Sequence, residues 1–494
     1  MVATWWLVRA LTIQVRYYDS YDYLNDARAL LGDHAASFFG VHSPLIPILG
    51  IPSALAWDPE NPSRWAWMVP HLTGFLLAVA ALWACHQFLA RFLRPRWALL
   101  GTAVIGLSPV VAHYAPHLLT DIPAMGLTAY ALARYDRHVV EGGATSALGL
   151  GAVVGLAVAA KYSLAVLPVA LGTAGAIRLV SSARPRPGRR PWVRLLRDDL
   201  LAALAAALTF GGLLVLRYQL TTETGFTRAD FAEDLRVAQE MVEPLGDEHP
   251  VDFLYLLARS LGPAVLVLAP LGAVALVRKV GWARALGPLL LAVGFVVSMG
   301  LKVGMTQARY LLPTFPVLVL AALVPAAHLA RRFPRTSLAL ATAIALPVLG
   351  LGLAQGARDA DAFYWRPIQR RVAERIRTHV SPEGRVYWAN HFVSMTPPEP
   401  VVFPRDEYFS FFHLGHPGIG FLTRRAVVGS HERRARTRVA SEDALLVVGA
   451  RRFHHAGNLQ AGTPLPCFFS LVYREGGEVR EERLPTGSCP TAAP

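Results

Sequence analysis

Apolar residues in this chain come in long unbroken runs. They do not alternate as in half-buried strands, nor recur every third or fourth position as on a surface helix. Runs of about 20 apolar residues are long enough for a helix to cross about 30 Å of hydrocarbon. On that measure the sequence predicts eleven spans, at 1–15, 65–89, 98–115, 119–135, 143–160, 162–179, 200–218, 253–277, 285–301, 310–329 and 336–354. The first is short and contains Arg9. No small-residue cleavage site follows it, so it does not read as a signal peptide. The run 143–179 would be about 55 Å long as one helix, and Lys161 would sit at its middle, where a charge is costly. Two helices turning at Lys161 avoid that cost.

The charges agree with this division. With the N-terminus inside, the inner loops carry 18 Lys and Arg and the outer loops 8. That is the asymmetry expected of a membrane protein with basic loops in the cytoplasm. The inner excess includes the block Arg184, Arg186, Arg189, Arg190, Arg194 and Arg197, and the outer loop 219–252 carries nine Asp and Glu. After residue 354 the composition changes. A polar helix is predicted over 363–379. Short apolar runs follow at Val386–Trp388, Ala426–Val428 and Ala444–Val448, separated by Gly, Pro and charged residues. The expected fold is therefore mainly α: a polytopic helical bundle over 1–354, with an outer loop at 16–64, and a small α/β domain over 355–494 lying outside. The expected location is the plasma (inner) membrane, multi-pass.

Composition narrows this further. Of 494 residues, 53% are hydrophobic and 17% charged, with mean hydropathy +0.37. Soluble domains carry about 25% charged residues, so neither a disordered chain nor a single soluble globule fits. The formal net charge of +14 would suit nucleic acid, but the basic residues sit where topology and anionic lipid require them. Three cysteines exclude a disulfide scaffold and a Cys-rich metal cluster. Cys467 and Cys489 share the last segment, and an oxidising exterior would permit them to pair.

The unusual polar residues fall on the outer face. Asp19, Tyr23 and Arg16 follow the first span, and His42 lies in the same loop. Asp121 opens the fourth span, Lys161 is an outer turn, and Lys302, Arg309 and Tyr310 lie at the mouth of the tenth. Ionisable groups at membrane depth are expensive and mark function. A lipid-linked phosphate needs cations, for which Lys161, Lys302 and Arg309 are candidates. A facing carboxylate takes a proton from an acceptor. Asp22 and Asp26 share a helix face and read as a solvated one. The pairs Trp5/Trp6 and Trp65/Trp67 read as interface anchors. His413, His416, His454 and His455 read as loop histidines without metal-ligand spacing.

Five segments in order carry a resemblance: Asp19-Ser-Tyr-Asp-Tyr23, His42-Ser-Pro-Leu-Ile-Pro47, Thr120-Asp-Ile-Pro123, Gly155-Leu156 through Lys161, and Arg309-Tyr-Leu-Leu-Pro313. The chain resembles the GT-C superfamily of integral membrane glycosyltransferases, in the branch of protein O-mannosyltransferases and aminoarabinose transferases. Ser20 departs from the usual Glu and Ser43 from the usual Pro. The resemblance implies a polyprenyl-phosphate sugar donor and transfer by a single inverting displacement to a protein, lipid or glycan acceptor. It makes Asp19 the general base and Asp121 a second catalytic residue. Lys161, Arg309 and Tyr310 would stabilise the leaving phosphate, with His42, Tyr23 and Lys302 in substrate contact. No cofactor or metal ligand is assigned; a divalent cation stays open. Two other classes fit the same pattern: a transporter or lipid flippase using the polar cluster as a path, and a membrane scaffold. They differ from an enzyme in leaving the polar residues along a path or scattered.

Overall fold

A computed structural model describes residues 2–14, 16, 18–33, 42–58, 63–182, 191–221, 250–302, 308–361, 367–390, 416–429, 443–449 and 468–485, with isolated positions between 227 and 236. Fifteen α-helices precede residue 362 among them: α1 (Val2–Thr12), α2 (Tyr18–Leu30), α3 (Leu45–Ala56), α4 (Arg64–Ala90), α5 (Pro95–Leu107), α6 (Pro109–Tyr114), α7 (Asp121–Glu141), α8 (Ala144–Ala160), α9 (Val166–Ser182), α10 (Pro191–Thr221), α11 (Pro250–Leu261), α12 (Pro263–Val280), α13 (Trp282–Lys302), α14 (Phe315–Arg332) and α15 (Ser337–Asp361). Six are long and apolar enough to cross a membrane by length and composition: α4, α9, α10, α12, α14 and α15, some counted with the 3-10 turn that leads in. Shorter apolar helices α3, α8 and most of α13 accompany them. The chain is a multi-pass, mainly helical membrane protein with a small α/β part.

Three elements differ from the sequence expectation. The run 98–115 is broken at Ser108, whose backbone is extended (φ −58°, ψ 141°) and whose Oγ accepts from the Val111 N–H at 3.3 Å. Pro109 then starts α6, where its missing N–H costs nothing. The run 253–277 is two helices. Gly262 at φ +81° precedes Pro263, and neither residue continues a helix. Both breaks are invisible to hydropathy because the flanking residues stay apolar. Inside the expected outer loop 16–64 lies α3, an apolar helix. Its Pro47 falls in the first turn, where a proline is tolerated.

The helix that positions the site is α7. It is buried along most of its length, from Asp121 to His138. Two glycines allow α4 to approach it. A Cβ on Gly126 would stand 2.6 Å from Ala81, and one on Gly74 would stand 2.6 Å from the His117 backbone. Small residues at such crossings let helix backbones meet where lipid supplies no hydrophobic drive. The loop that leads into Asp121 is thereby pressed onto α4. At the other end of the next helix the chain turns at Lys161, which is extended (φ −160°) and ends α8. Trp6 and Trp67 are buried at 0% and 2% exposure. They are packing residues, so only Trp5 and Trp65 of the two pairs remain for an interface.

The C-terminal part has helices α16 (Ile368–His379) and α17 (His416–Thr423) and one five-stranded sheet, β1 (Arg385–Asn390), β2 (Ala426–Gly429), β3 (Ala444–Gly449), β4 (Phe468–Glu475) and β5 (Glu478–Pro485). The order is β2-β1-β3-β4-β5. β1 pairs with β2 and β3 in parallel, and β3–β4–β5 is antiparallel. The β4–β5 hairpin turns on Gly476 (φ +60°) and Gly477 (φ +86°). Positive φ at both central residues is the turn whose twist matches the strands. The apolar face of α16 (Val372, Ala373, Ile376) is buried, and Arg375 on its other side pairs with Glu482 of β5 at 2.8 Å. Cys467, Cys489, His413, His454, His455 and Arg184–Arg190 lie outside the described residues.

Candidate functional site

α2 begins two residues after Arg16, and Asp19 is in its first turn. Asp19, Asp22 and Asp26 recur three and four apart, so they share one face. A 3-10 segment, Ala308–Thr314, brings Arg309 and Tyr310 to that face. Arg309 donates from Nη1 to Asp19 Oδ2 at 2.8 Å. Asp121 is the first residue of α7, where the helix dipole favours a negative charge. Its Oδ1 accepts from Lys161 Nζ, and its Oδ2 lies 3.9 Å from Arg309 Nη1. Lys161 Nζ stands 4.6 Å from the Tyr310 ring centre, and the Arg309 guanidinium 5.3 Å from the same ring. Two acids, two cations and a tyrosine thus form one connected cluster. Its members come from α2, the start of α7, the α8–α9 turn and the 3-10 segment. The side chains differ in access: Asp121 is 2% exposed, Arg309 5% and Lys161 12%, while Asp19 is 23% exposed. Asp19 is the most open carboxylate of the cluster.

A second knot adjoins it. Tyr23 packs its ring 4.7 Å from that of His42. His42 Nδ1 lies 3.4 Å from Asp26 Oδ2. Arg217, near the end of α10, places Nη2 at 3.3 Å from the same oxygen and donates from Nη1 to the His42 carbonyl. Tyr162 also donates to that carbonyl at 3.2 Å, and Ser43 Oγ donates to the Ala160 carbonyl at 2.6 Å. The His42 loop is therefore tied to the same turn that carries Lys161. Asp26 and Arg217 are both 0% exposed. The expectation of a solvated face at Asp26 is corrected. Arg217 was missed because a lone arginine at the end of an apolar run reads as part of the span. The expense of a cation there was the available signal. Asp22, between Asp19 and Asp26, is half-buried and has no described cation at ion-pair distance. Burial, then the neighbouring charges of Asp19 and Asp26, pushes its carboxyl well above the usual range.

The start of α2 is held by the C-terminal part. The Arg16 N–H donates to Gln369 Oε1 at 2.8 Å, and Gln369 Nε2 donates to the Arg16 carbonyl at 2.9 Å. The Tyr21 hydroxyl donates to Gln369 Oε1 at 2.6 Å. Phe421 of α17 stacks on Trp57 at 5.6 Å. Lys302 is the last residue of α13; its side chain lies outside the described residues. Among the described residues no group of three or more His, Cys, Asp or Glu is placed to hold a metal ion.

No family model matches the chain, and no curated protein matches it. Solved structures do. The crystal structure of ArnT from Cupriavidus metallidurans bound to undecaprenyl phosphate superposes with TM-score 0.59 at 13% identity, over 90% of this chain and 91% of that one. The apo state of ArnT gives TM-score 0.59 at 12% identity, over 90% of each chain. The chain has the GT-C fold. The oligosaccharyltransferase of Archaeoglobus fulgidus in the apo form shares that fold at TM-score 0.51 and 12% identity, over 88% of this chain and 65% of that one. The resemblance carried by five short motifs thus holds for the GT-C architecture as a whole, although few residues are shared.

Proposed function

We propose that this protein is a membrane glycosyltransferase that moves a sugar from a polyprenyl-phosphate donor to an acceptor outside the cytoplasm. The observation that carries the reading is the single cluster of Asp19, Asp121, Lys161, Arg309 and Tyr310, assembled from four distant segments. A path for a transported substrate would string such groups through the bundle, and a scaffold would leave them scattered.

Asp19 is the general base. It takes the proton of an acceptor hydroxyl or amine as that atom attacks the anomeric carbon. The bond from that carbon to the phosphate oxygen breaks, its electron pair leaves with the lipid phosphate, and the sugar inverts. Lys161 and Arg309 receive the growing charge on the phosphate, with Tyr310 beside both. A phosphate is a good leaving group, so no strong acid is needed. Asp121 is assigned a positioning role, because it is buried against Lys161 and borders Arg309. His42, Tyr23 and Lys302 are assigned to substrate contact. A divalent cation does not fit the described side chains well: the two acids that would hold it are occupied by Lys161 and Arg309.

In this reading the N-terminus is cytoplasmic and the membrane is the plasma (inner) membrane. Residues 355–494 form an extracytoplasmic domain over the site. The test is transfer from a polyprenyl-phosphate sugar by the purified full chain, with mass spectrometry of cell-envelope glycans with and without the protein to name the acceptor. Asp19→Asn should abolish transfer while membrane insertion is retained. Undiminished turnover by that variant removes Asp19 from the mechanism.

A further inference from the structure

We propose that a cavity between the end of α1, the start of α4 and the start of α16 is a second anion site, one that takes a phosphate-bearing group. The proposal does not depend on glycosyl transfer, since it concerns binding at residues outside the Asp19–Arg309 cluster.

The cavity holds about 390 Å³, and its walls include Gln14, Arg64, Trp67, Met68 and Arg370. Two guanidiniums from segments far apart in sequence therefore meet at one opening. No carboxylate among the described residues lines it. Neither Arg64 nor Arg370 makes an ion pair with a described carboxylate. A third cation stands behind the wall. Arg16, 1% exposed, lies 4.3 Å over the Trp67 ring and is enclosed further by Trp57 at 5.0 Å and Phe421 at 5.6 Å. Its Nη2 donates to the carbonyls of Ala66 and Trp67 at 3.1 and 3.2 Å. Its Nε and Nη1 are buried with no acceptor among the described residues.

A buried cation without a carboxylate is expensive. Cation–π contacts with three indole and phenyl rings offset part of that cost. Among the described residues the rest is unbalanced positive charge at a cavity already edged by two more cations. Low-dielectric walls lined by one sign of charge concentrate the opposite ion. Guanidinium matches phosphate oxygens two at a time. The volume is at the small end for ligand cavities. It suits a phosphate with a few attached atoms, and Trp67 and Met68 offer apolar contact beside it. Two sources share this chemistry: the head group of an anionic lipid at the bilayer surface, and a free phosphate ester.

The test uses the full chain purified in zwitterionic detergent. Bound lipid is counted by native mass spectrometry after exposure to vesicles of phosphatidylglycerol or of phosphatidylcholine, and inorganic phosphate is titrated separately by thermal shift. The expected result is retention of phosphatidylglycerol over phosphatidylcholine, or a saturable phosphate response, falling at least about tenfold in the double variant Arg64→Gln/Arg370→Gln. Phosphatidylglycerol retention assigns the lipid head group; a phosphate response without lipid preference assigns the free ester. The double variant Arg64→Lys/Arg370→Lys should keep most of the binding, which separates lost charge from lost folding. Equal binding by wild type and the glutamine variant in both arms overturns the proposal.

Discussion

Two buried acids on α7 mark ends of the bundle with different surroundings. Asp121 begins the helix and Asp136 follows fifteen residues later, about 22 Å along its axis. Asp136 is fully buried and held by two arginines. Arg284 donates to it at 2.6 and 3.1 Å, and Arg91 at 2.7 Å. The same end of the bundle repeats the pattern at Asp199, which accepts from Arg178 at 2.8 Å and lies 3.3 Å from His138. There, Asp136 has both oxygens on arginine, while Asp199, 31% exposed, shares one oxygen between Arg178 and His138. At the Asp121 end the balance is looser. Asp19 has one arginine and an open side, and Asp22 has no described cation. The residue types are the same at both ends. The ratio of cations to carboxylates at Asp136 and around Asp19 and Asp22 separates the braced end from the looser one.

The sharpest break of this comparison is a matched pair of isosteric changes. Asp19→Asn should cut transfer per folded molecule by about 10²–10⁴-fold, the range of a lost general base. Asp136→Asn should leave turnover per folded molecule unchanged. Equal rate losses in both variants would remove the distinction between the two ends.

The next effect concerns what holds Asp19. The first turn of a helix has the fewest internal hydrogen bonds, so its place must be fixed from outside. Gln369 does this by gripping both backbone groups of Arg16 and the Tyr21 hydroxyl. Gln369→Leu keeps the volume and removes the grip. A shift of about 1 Å at a reacting group costs up to about 100-fold. The variant should therefore lose about 10- to 100-fold in kcat, with KM for the donor little changed. In an Asp19→Asn background the same change should add little, because the two act through one group. The same fold loss in both backgrounds would mean that Gln369 supports only the fold.

Much of the polar cluster was legible in the sequence because its residues are polar and surrounded by apolar runs. Asp19, Asp121, Lys161 and Arg309 stood out as charges at span ends, and the cost of charge at membrane depth gave them meaning. The turn at Lys161 followed from helix length and the cost of a charge at the middle of the bilayer. What stayed hidden shares one cause: hydropathy averages over a window. Arg217 disappeared into the apolar stretch of α10, Gly262-Pro263 into the stretch 253–277, and α3 into a segment broken by prolines. Gln369 was illegible for another reason. Its partners Arg16 and Tyr21 lie about 350 positions away, and no local pattern signals a contact of that range.

A smaller effect tests the braced end by stability. Removing the charge of Asp136 leaves Arg91 and Arg284 facing a neutral amide. Loss of one member of a fully buried pair costs about 3–5 kcal/mol, but these arginines are 35% and 28% exposed and water screens them. Asp136→Asn should lower stability by about 1–3 kcal/mol, read from denaturant unfolding in micelles. An unchanged midpoint would show that the two arginines are satisfied by solvent, and the contrast between the ends would then rest on the site alone.

The smallest effect is a slope. The Asp22 carboxyl is pushed up in the folded protein by burial and by Asp19 and Asp26. Its unfolded value is about 3.9. Above that value the folded chain holds the proton while the unfolded chain has lost it, so folding binds more protons and stability falls as pH rises. The stabilising difference is fully present below the unfolded value and is gone once pH passes the raised folded value. Asp22→Asn has no proton to lose. Near pH 4 the variant and the wild type should therefore melt close together, and the variant should gain on the wild type steadily toward neutral pH. Parallel melting curves across that window would mean that Asp22 finds water or a cation after all. The loose charge balance that separates this end of the bundle from the braced one would then narrow to Asp19.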